Sequence, residues 1–149
     1  MATVLVKLLS DIKISHTVFA MPFALLGGFM AATNDGYINW LDFRWQLVLI
    51  VLCMFFARNV AMLSNRLIDR KIDAKNPRTE NRALASGDVK PTTAFLFFVI
   101  SAVLFVCTTA LFIKWGNYCA LFLSIPVLAW LSAYPFLKRF TWLCHIYLG

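Results

Sequence analysis

Between positions 65 and 73 the chain reads Asn65-Arg66-Leu67-Ile68-Asp69-Arg70-Lys71-Ile72-Asp73. Asn65, Asp69 and Asp73 all carry side-chain oxygens and recur at every fourth position. In an α-helix that spacing lines them on one stripe, each about 6 Å further along the axis than the last. Mg²⁺ prefers oxygen ligands, takes one or two carboxylates, and completes its shell with water and substrate phosphates. The stripe therefore suits a metal that bridges to a diphosphate better than a metal caged by protein. Arg66 and Arg70 make a second row about 100° around the same helix, and Lys71, Lys75, Arg78 and Arg82 follow. Cations placed around acids in this way would hold a cluster of phosphate oxygens. Arg58 stands apart, inside an apolar run and nearly on the acid stripe, about 10 Å deeper than Asn65. An ionisable group at such a depth usually lines a polar cavity. The competing reading of all these charges is a solvated helix end whose bases only fix topology.

The elements that must position these residues are membrane helices. Hydrophobic residues make up 61% of the 149 and charged residues 14%, more apolar surface than a soluble domain of this size can bury. Runs long enough for a hydrocarbon core of about 30 Å lie near Thr17–Thr33, Trp45–Ser64, Thr93–Ile113 and Asn117–Leu137. Pro91 opens the third, where a helix tolerates proline, and Pro126 predicts a kink in the fourth. A fifth apolar stretch begins at Thr141 and includes Gly149. The expectation is an all-α, multi-spanning transmembrane helical bundle with about four complete spans and the start of a fifth. Residues 1–149 would belong to one domain, with a functional loop at 65–90. The first run has no small-residue cleavage site before Gly27-Gly28 and reads as a retained span. No internal repeat is visible.

Charge sets the orientation. Of the 14 lysines and arginines, only Arg44 and Lys114 fall in the two short loops opposite the long one. The positive-inside rule then places the N-terminus and loop 65–90 in the cytoplasm, with the lipid bilayer as the chain's surroundings. The net charge of +7 is not interleaved with aromatics on a soluble face, so no nucleic-acid partner is expected. Cys53, Cys107, Cys119 and Cys144 lack ligand-like spacing and read as small packed side chains. Phe95, Phe97, Phe98, Phe105 and Phe112 read as packing and lipid-facing surface, and His16 and His145 as interfacial residues.

The Asn-x-x-x-Asp-x-x-x-Asp pattern at Asn65, Asp69 and Asp73 resembles the first aspartate-rich motif of UbiA-type intramembrane prenyltransferases. The segment Asn76-Pro77-Arg78-Thr79-Glu80-Asn81-Arg82-Ala83-Leu84-Ala85-Ser86-Gly87 is similar to the basic loop that closes over the diphosphate in that family. Tyr134-Pro135-Phe136-Leu137-Lys138-Arg139-Phe140-Thr141 resembles a later family segment, and Ser15-His16-Thr17-Val18-Phe19-Ala20 an earlier one. The resemblance implies an enzyme of nine helices, nearly twice this length, whose other half supplies a second aspartate motif. It implies Mg²⁺-dependent transfer of a polyprenyl group from a polyprenyl diphosphate to an aromatic acid acceptor, commonly 4-hydroxybenzoate on the route to ubiquinone. The C-terminal half would then be a necessary partner, and this half alone is expected to show little activity. A bacterial inner membrane is the expected location.

Carried onto these residues, the implied metal ligands are Asn65, Asp69 and Asp73, with Asp69, Asp73 and Arg70 catalytic. Arg58, Arg66, Arg70, Lys71, Arg78 and Arg82 would bind the diphosphate, and Lys138 or Arg139 would orient either the acceptor or the diphosphate. The acids are expected at a wet helix end. Departures exist: Lys13, Ser15 and His16 stand where many members have an arginine. Ser15-His16-Thr17 and Arg66 also resemble menaquinone-pathway relatives. A transporter fragment would place its acids deeper in the spans, and a CDP-alcohol phosphotransferase would need an Asp-x-x-Asp-Gly start that this chain does not have.

Overall fold

A computed structural model describes residues 14–33 and 39–140. They form α1 (Ile14–Thr33), α2 (Trp40–Asp73), α3 (Pro91–Ala110) continued by a 3₁₀ turn (Leu111–Trp115), and α4 (Cys119–Phe140), with no strand among the described residues. Trp40–Asp73, Pro91–Trp115 and Cys119–Leu137 are each long and apolar enough to cross a membrane. The apolar part of α1, Val18–Thr33, is shorter. The chain is an integral membrane protein built as a helical bundle. The side chains of His16 and Lys138, and the stretch from Thr141 with Cys144 and His145, lie outside the described residues.

α2 is the central element and packs against α1, α3 and α4. Its 34 residues rise about 51 Å, so the helix overshoots a hydrocarbon core of about 30 Å. It begins five residues before the apolar run because Asn39 caps it. The Asn39 Oδ1 accepts from the Leu41 N–H at 3.2 Å, and its Nδ2 donates to Asp42 at 2.8 Å. At the far end, Arg70 and Lys71 sit in the last turn, where cations oppose the negative pole of the helix. The Thr79 hydroxyl donates to the Asp73 carbonyl at 2.9 Å, satisfying an acceptor that the helix leaves open. α1 approaches α2 closely through Gly28, where a Cβ would lie 2.7 Å from the Ile50 side chain. A small residue permits that approach, as at other membrane helix contacts.

α3 buries Ser101, Thr108 and Thr109. The two threonine hydroxyls donate to the Leu104 and Val106 carbonyls at 2.6 and 2.8 Å, which makes burial of these polar groups tolerable. The 3₁₀ turn ends at Gly116, whose φ of 74° is left-handed and favours glycine. Asn117 Oδ1 then accepts from the Ala120 N–H. α4 runs unbroken through both Pro126 and Pro135.

The segment between α2 and α3 is folded, not a loose excursion into water. Ala83, Leu84 and Val89 form a buried cluster with Leu63 of α2 and Ala94 of α3. A compact turn presents them: Ser86 N–H donates to the Arg82 carbonyl at 2.8 Å and Val89 N–H to the Ala83 carbonyl at 2.9 Å. Gly87 makes the turn with φ of 83°. Burial of these apolar side chains, at about 25 cal/mol per Å², fixes Arg82 beside the end of α2.

Candidate active site

Asn65, Asp69 and Asp73 lie on one continuous helix, so the stripe is real in three dimensions. Its surroundings differ from those expected. The acids are not at a wet helix end: Asp69 is 5% exposed and Asp73 is 9% exposed. The reason is the docked segment from Ala74 to Lys90 together with the end of α4. Asp73 Oδ2 accepts from Arg82 Nη1 at 2.8 Å, with Arg66 Nη1 at 4.0 Å from the same oxygen. Asp69 Oδ1 accepts from Arg139 Nη2 at 3.0 Å, and that nitrogen also donates to the Ile68 carbonyl at 2.8 Å. Carboxylates this deeply buried need such partners, since an uncompensated charge would carry a large desolvation cost.

The cations expected around the diphosphate separate into groups. Arg66, Arg82 and Arg139 form ion pairs with the stripe. Arg78 is exposed at the rim of the docked segment, where its backbone N–H donates to Asn76 Oδ1 at 3.0 Å. Arg70 and Lys71 are exposed and line a cavity between α2, α3 and α4, with Arg70 Nη1 donating to the Leu67 carbonyl at 3.3 Å. Arg58 is half-buried, and its Nε has no hydrogen-bond partner among the described residues; neither has Oδ1 of the adjacent, buried Asn59. Two buried polar atoms without partners are costly within an apolar span.

Two residues escaped the sequence reading. Asn59 is 7% exposed, and its signal was a carboxamide beside Arg58 in an apolar run. Thr79, also buried, holds the helix end at Asp73; a hydroxyl in a polar segment gives no comparable signal.

The donor set fits a Mg²⁺ ion carried with a phosphate substrate. Its donors are all hard oxygens, two carboxylates and one carboxamide on one stripe. Among the described residues no group of three His, Cys, Asp or Glu side chains gathers into a protein-only metal cage. Mg²⁺ would leave several positions for water and phosphate.

Residues 20–149 match the UbiA prenyltransferase family. The chain belongs to this family. It is 36% identical over 121 residues to the 4-hydroxybenzoate octaprenyltransferase of Aliivibrio fischeri (strain MJ11), a match that covers 81% of this chain and 39% of that protein. It is 39% identical over 119 residues to the 4-hydroxybenzoate octaprenyltransferase of Saccharophagus degradans, covering 77% of this chain and 36% of that protein. The apo structure of a UbiA homolog from Aeropyrum pernix K1 matches with a TM-score of 0.76 and 32% identity, covering 92% of this chain and 46% of that one. The chain thus spans about two fifths of the length of the curated relatives it matches. The UbiA family match includes the acid stripe, the docked segment and Arg139.

Proposed function

We propose that this UbiA family chain carries the metal- and diphosphate-binding part of a membrane prenyltransferase. The enzyme would move a polyprenyl group from an allylic polyprenyl diphosphate to an aromatic acid such as 4-hydroxybenzoate, in ubiquinone biosynthesis. The observation that carries this reading is the buried stripe of Asp69 and Asp73, closed by arginines from two different segments, Arg82 and Arg139. Two buried acids ringed by arginines are costly as scaffolding alone and form a site for alternating charges.

Asp69 and Asp73, with Asn65 beside them, would hold Mg²⁺. When bound, Mg²⁺ neutralises charge on a diphosphate leaving group. Arg66 and Arg82 lie against the acids, and Arg78 stands at the exposed rim; these three would take phosphate oxygens and stabilise negative charge as it develops. In the transfer the allylic carbon–oxygen bond breaks and its electron pair leaves with the diphosphate. The ring carbon ortho to the acceptor hydroxyl bonds to the allylic carbon and then loses its proton. Arg139 holds Asp69 in place before substrate arrives. Water and the diphosphate's own oxygens would fill the remaining positions. The distribution of basic residues supports a cytoplasmic N-terminus and loop 65–90, so that a prenyl tail stays in lipid while its diphosphate reaches the acids from the cytoplasmic side.

The test is prenyl transfer by the complete protein in membranes, with an allylic polyprenyl diphosphate and a panel of aromatic acids. Product with 4-hydroxybenzoate and Mg²⁺, lost on chelation and restored by Mg²⁺, is expected. A preference for a dihydroxynaphthoate would move the protein to the menaquinone route. Absence of transfer to any aromatic acid would sink the proposal.

A further inference from the structure

A cavity of about 770 Å³ opens between α2, α3 and α4 at the end of the bundle where α2 leaves its apolar run. Ser64, Leu67, Ile68 and Lys71 form its α2 wall. At 100° per residue, that wall is centred roughly 150° around α2 from the stripe of Asn65, Asp69 and Asp73. A ligand in the cavity is therefore on a different face of the helix from the proposed metal ligands.

The lining is ordered by depth. Arg70, Lys71, Thr92 and Arg139 lie at one end, and Ser64, Phe98 and Ser132 at the other, roughly 10 Å away along each helix. The deep end is tied by the Ser64 hydroxyl, which donates to the Ser132 carbonyl at 3.4 Å. Phenylalanine forms the walls between: Phe95 and Phe98 stack with ring centroids 6.0 Å apart, and Phe136 lines the α4 side. Phe95 and Phe136 are each more than half exposed, so the walls open sideways.

Charge at the rim is unbalanced. Among the described residues no carboxylate lines the cavity. Arg66, Arg82 and Arg139 all pair with acids of the stripe, whereas Arg70 and Lys71 make no ion pair among the described residues. Two adjacent cations above a slot of aromatic rings, at the edge of a membrane span, match a molecule with an anionic head and an apolar tail.

We propose that this cavity binds an anionic phospholipid, its phosphate on Arg70 and Lys71 and the upper part of one acyl chain along Phe95, Phe98 and Phe136. A phosphate there also lies beside Arg139, the residue that holds Asp69, so the lipid site and the acid stripe share one side chain. Prenyl diphosphate has the same chemistry, but its metal-bridged diphosphate would need the acids on the other face of α2. The proposal does not depend on the activity proposed above, because its readout is binding.

The experiment is native mass spectrometry of the complete protein, extracted in detergent and titrated with phosphatidylglycerol or phosphatidylcholine. Phosphatidylglycerol should bind as a discrete adduct and phosphatidylcholine much more weakly. R70Q/K71Q should weaken phosphatidylglycerol on the order of tenfold or more, as expected for loss of two basic residues near a lipid surface. R70K/K71R should retain binding, and Lys114→Gln, at the other end of the spans, should match the unmodified protein. Thr92→Glu leaves both cations in place but sets a negative charge at the same rim, and it should lose the adduct as well. Melting temperature of each variant in the same detergent controls for folding. Equal binding of the two lipids, or an undiminished adduct in both R70Q/K71Q and Thr92→Glu, would overturn the proposal. So would one-for-one displacement of phosphatidylglycerol by a prenyl diphosphate, which would assign the cavity to the substrate.

Discussion

Arg139, in the last turn of α4, donates to Asp69 Oδ1 at 3.0 Å across 70 residues of sequence. The contact ties the two helices together at the acid stripe. Asp69 is buried while the Arg139 side chain is 36% exposed, so solvent tempers the pair's strength. Arg139→Gln should cost about 1–2 kcal/mol of stability, the range for a hydrogen bond to a charged group after that screening. Asp69→Asn should lose a similar amount, and the double variant less than the sum, with a coupling of about 1 kcal/mol. Thermal melts of the four proteins in one detergent read this directly. Additive losses would mean that the two side chains act independently.

The docked segment between α2 and α3 depends on Leu84, which is 6% exposed within the buried cluster. Leu84→Ala should cost about 2 kcal/mol or more, as truncation of a core leucine does. The loss should be local, because Leu84 packs where the segment docks against Leu63 of α2 and Ala94 of α3. Limited trypsin digestion should cut after Arg78 and Arg82 several-fold faster than in the unmodified protein. Unchanged cleavage with a lower global melting temperature would show that the segment stays docked and that the damage lies elsewhere.

Basic residues segregate strongly by loop, which predicts the orientation. A reporter fused at Lys90 or Arg139 should read cytoplasmic, and one at Asp35 external. The opposite pattern would place Asp69 and Asp73 at the external face and contradict the proposed side of entry.

The spans and the stripe were legible because both are local. An apolar run of about 20 residues and an i, i+4 row of oxygens depend on nothing distant, and α2 carries Asn65, Asp69 and Asp73 on one unbroken helix. Helix ends were less legible: Asn39 starts α2 through a side-chain cap, and α4 continues past Leu137 through Pro135. Burial of the acids was not readable at all. It requires Arg139 from a helix 70 residues away and a segment docked by Ala83, Leu84 and Val89, whose charge density gives no sign of that docking. The same non-local packing divided a continuous run of cations. Arg66 turned toward Asp73, while Arg70 and Lys71 turned to a cavity on another face.

The most direct test of the central claim is the Mg²⁺ dependence of initial rates for Asp69→Asn and Asp73→Asn in membranes carrying the complete protein. Asparagine keeps size and one acceptor oxygen but removes the negative charge that a divalent cation needs. Each substitution should lower turnover by several kcal/mol of barrier, where ~1.4 kcal/mol is tenfold, and should shift half-activation to higher Mg²⁺. Protein level and melting temperature, read in parallel, separate this loss from the smaller stability cost of a broken ion pair. Near-normal turnover and an unchanged Mg²⁺ response in both variants would contradict the account, leaving Asp69 and Asp73 as structural partners of Arg139 and Arg82.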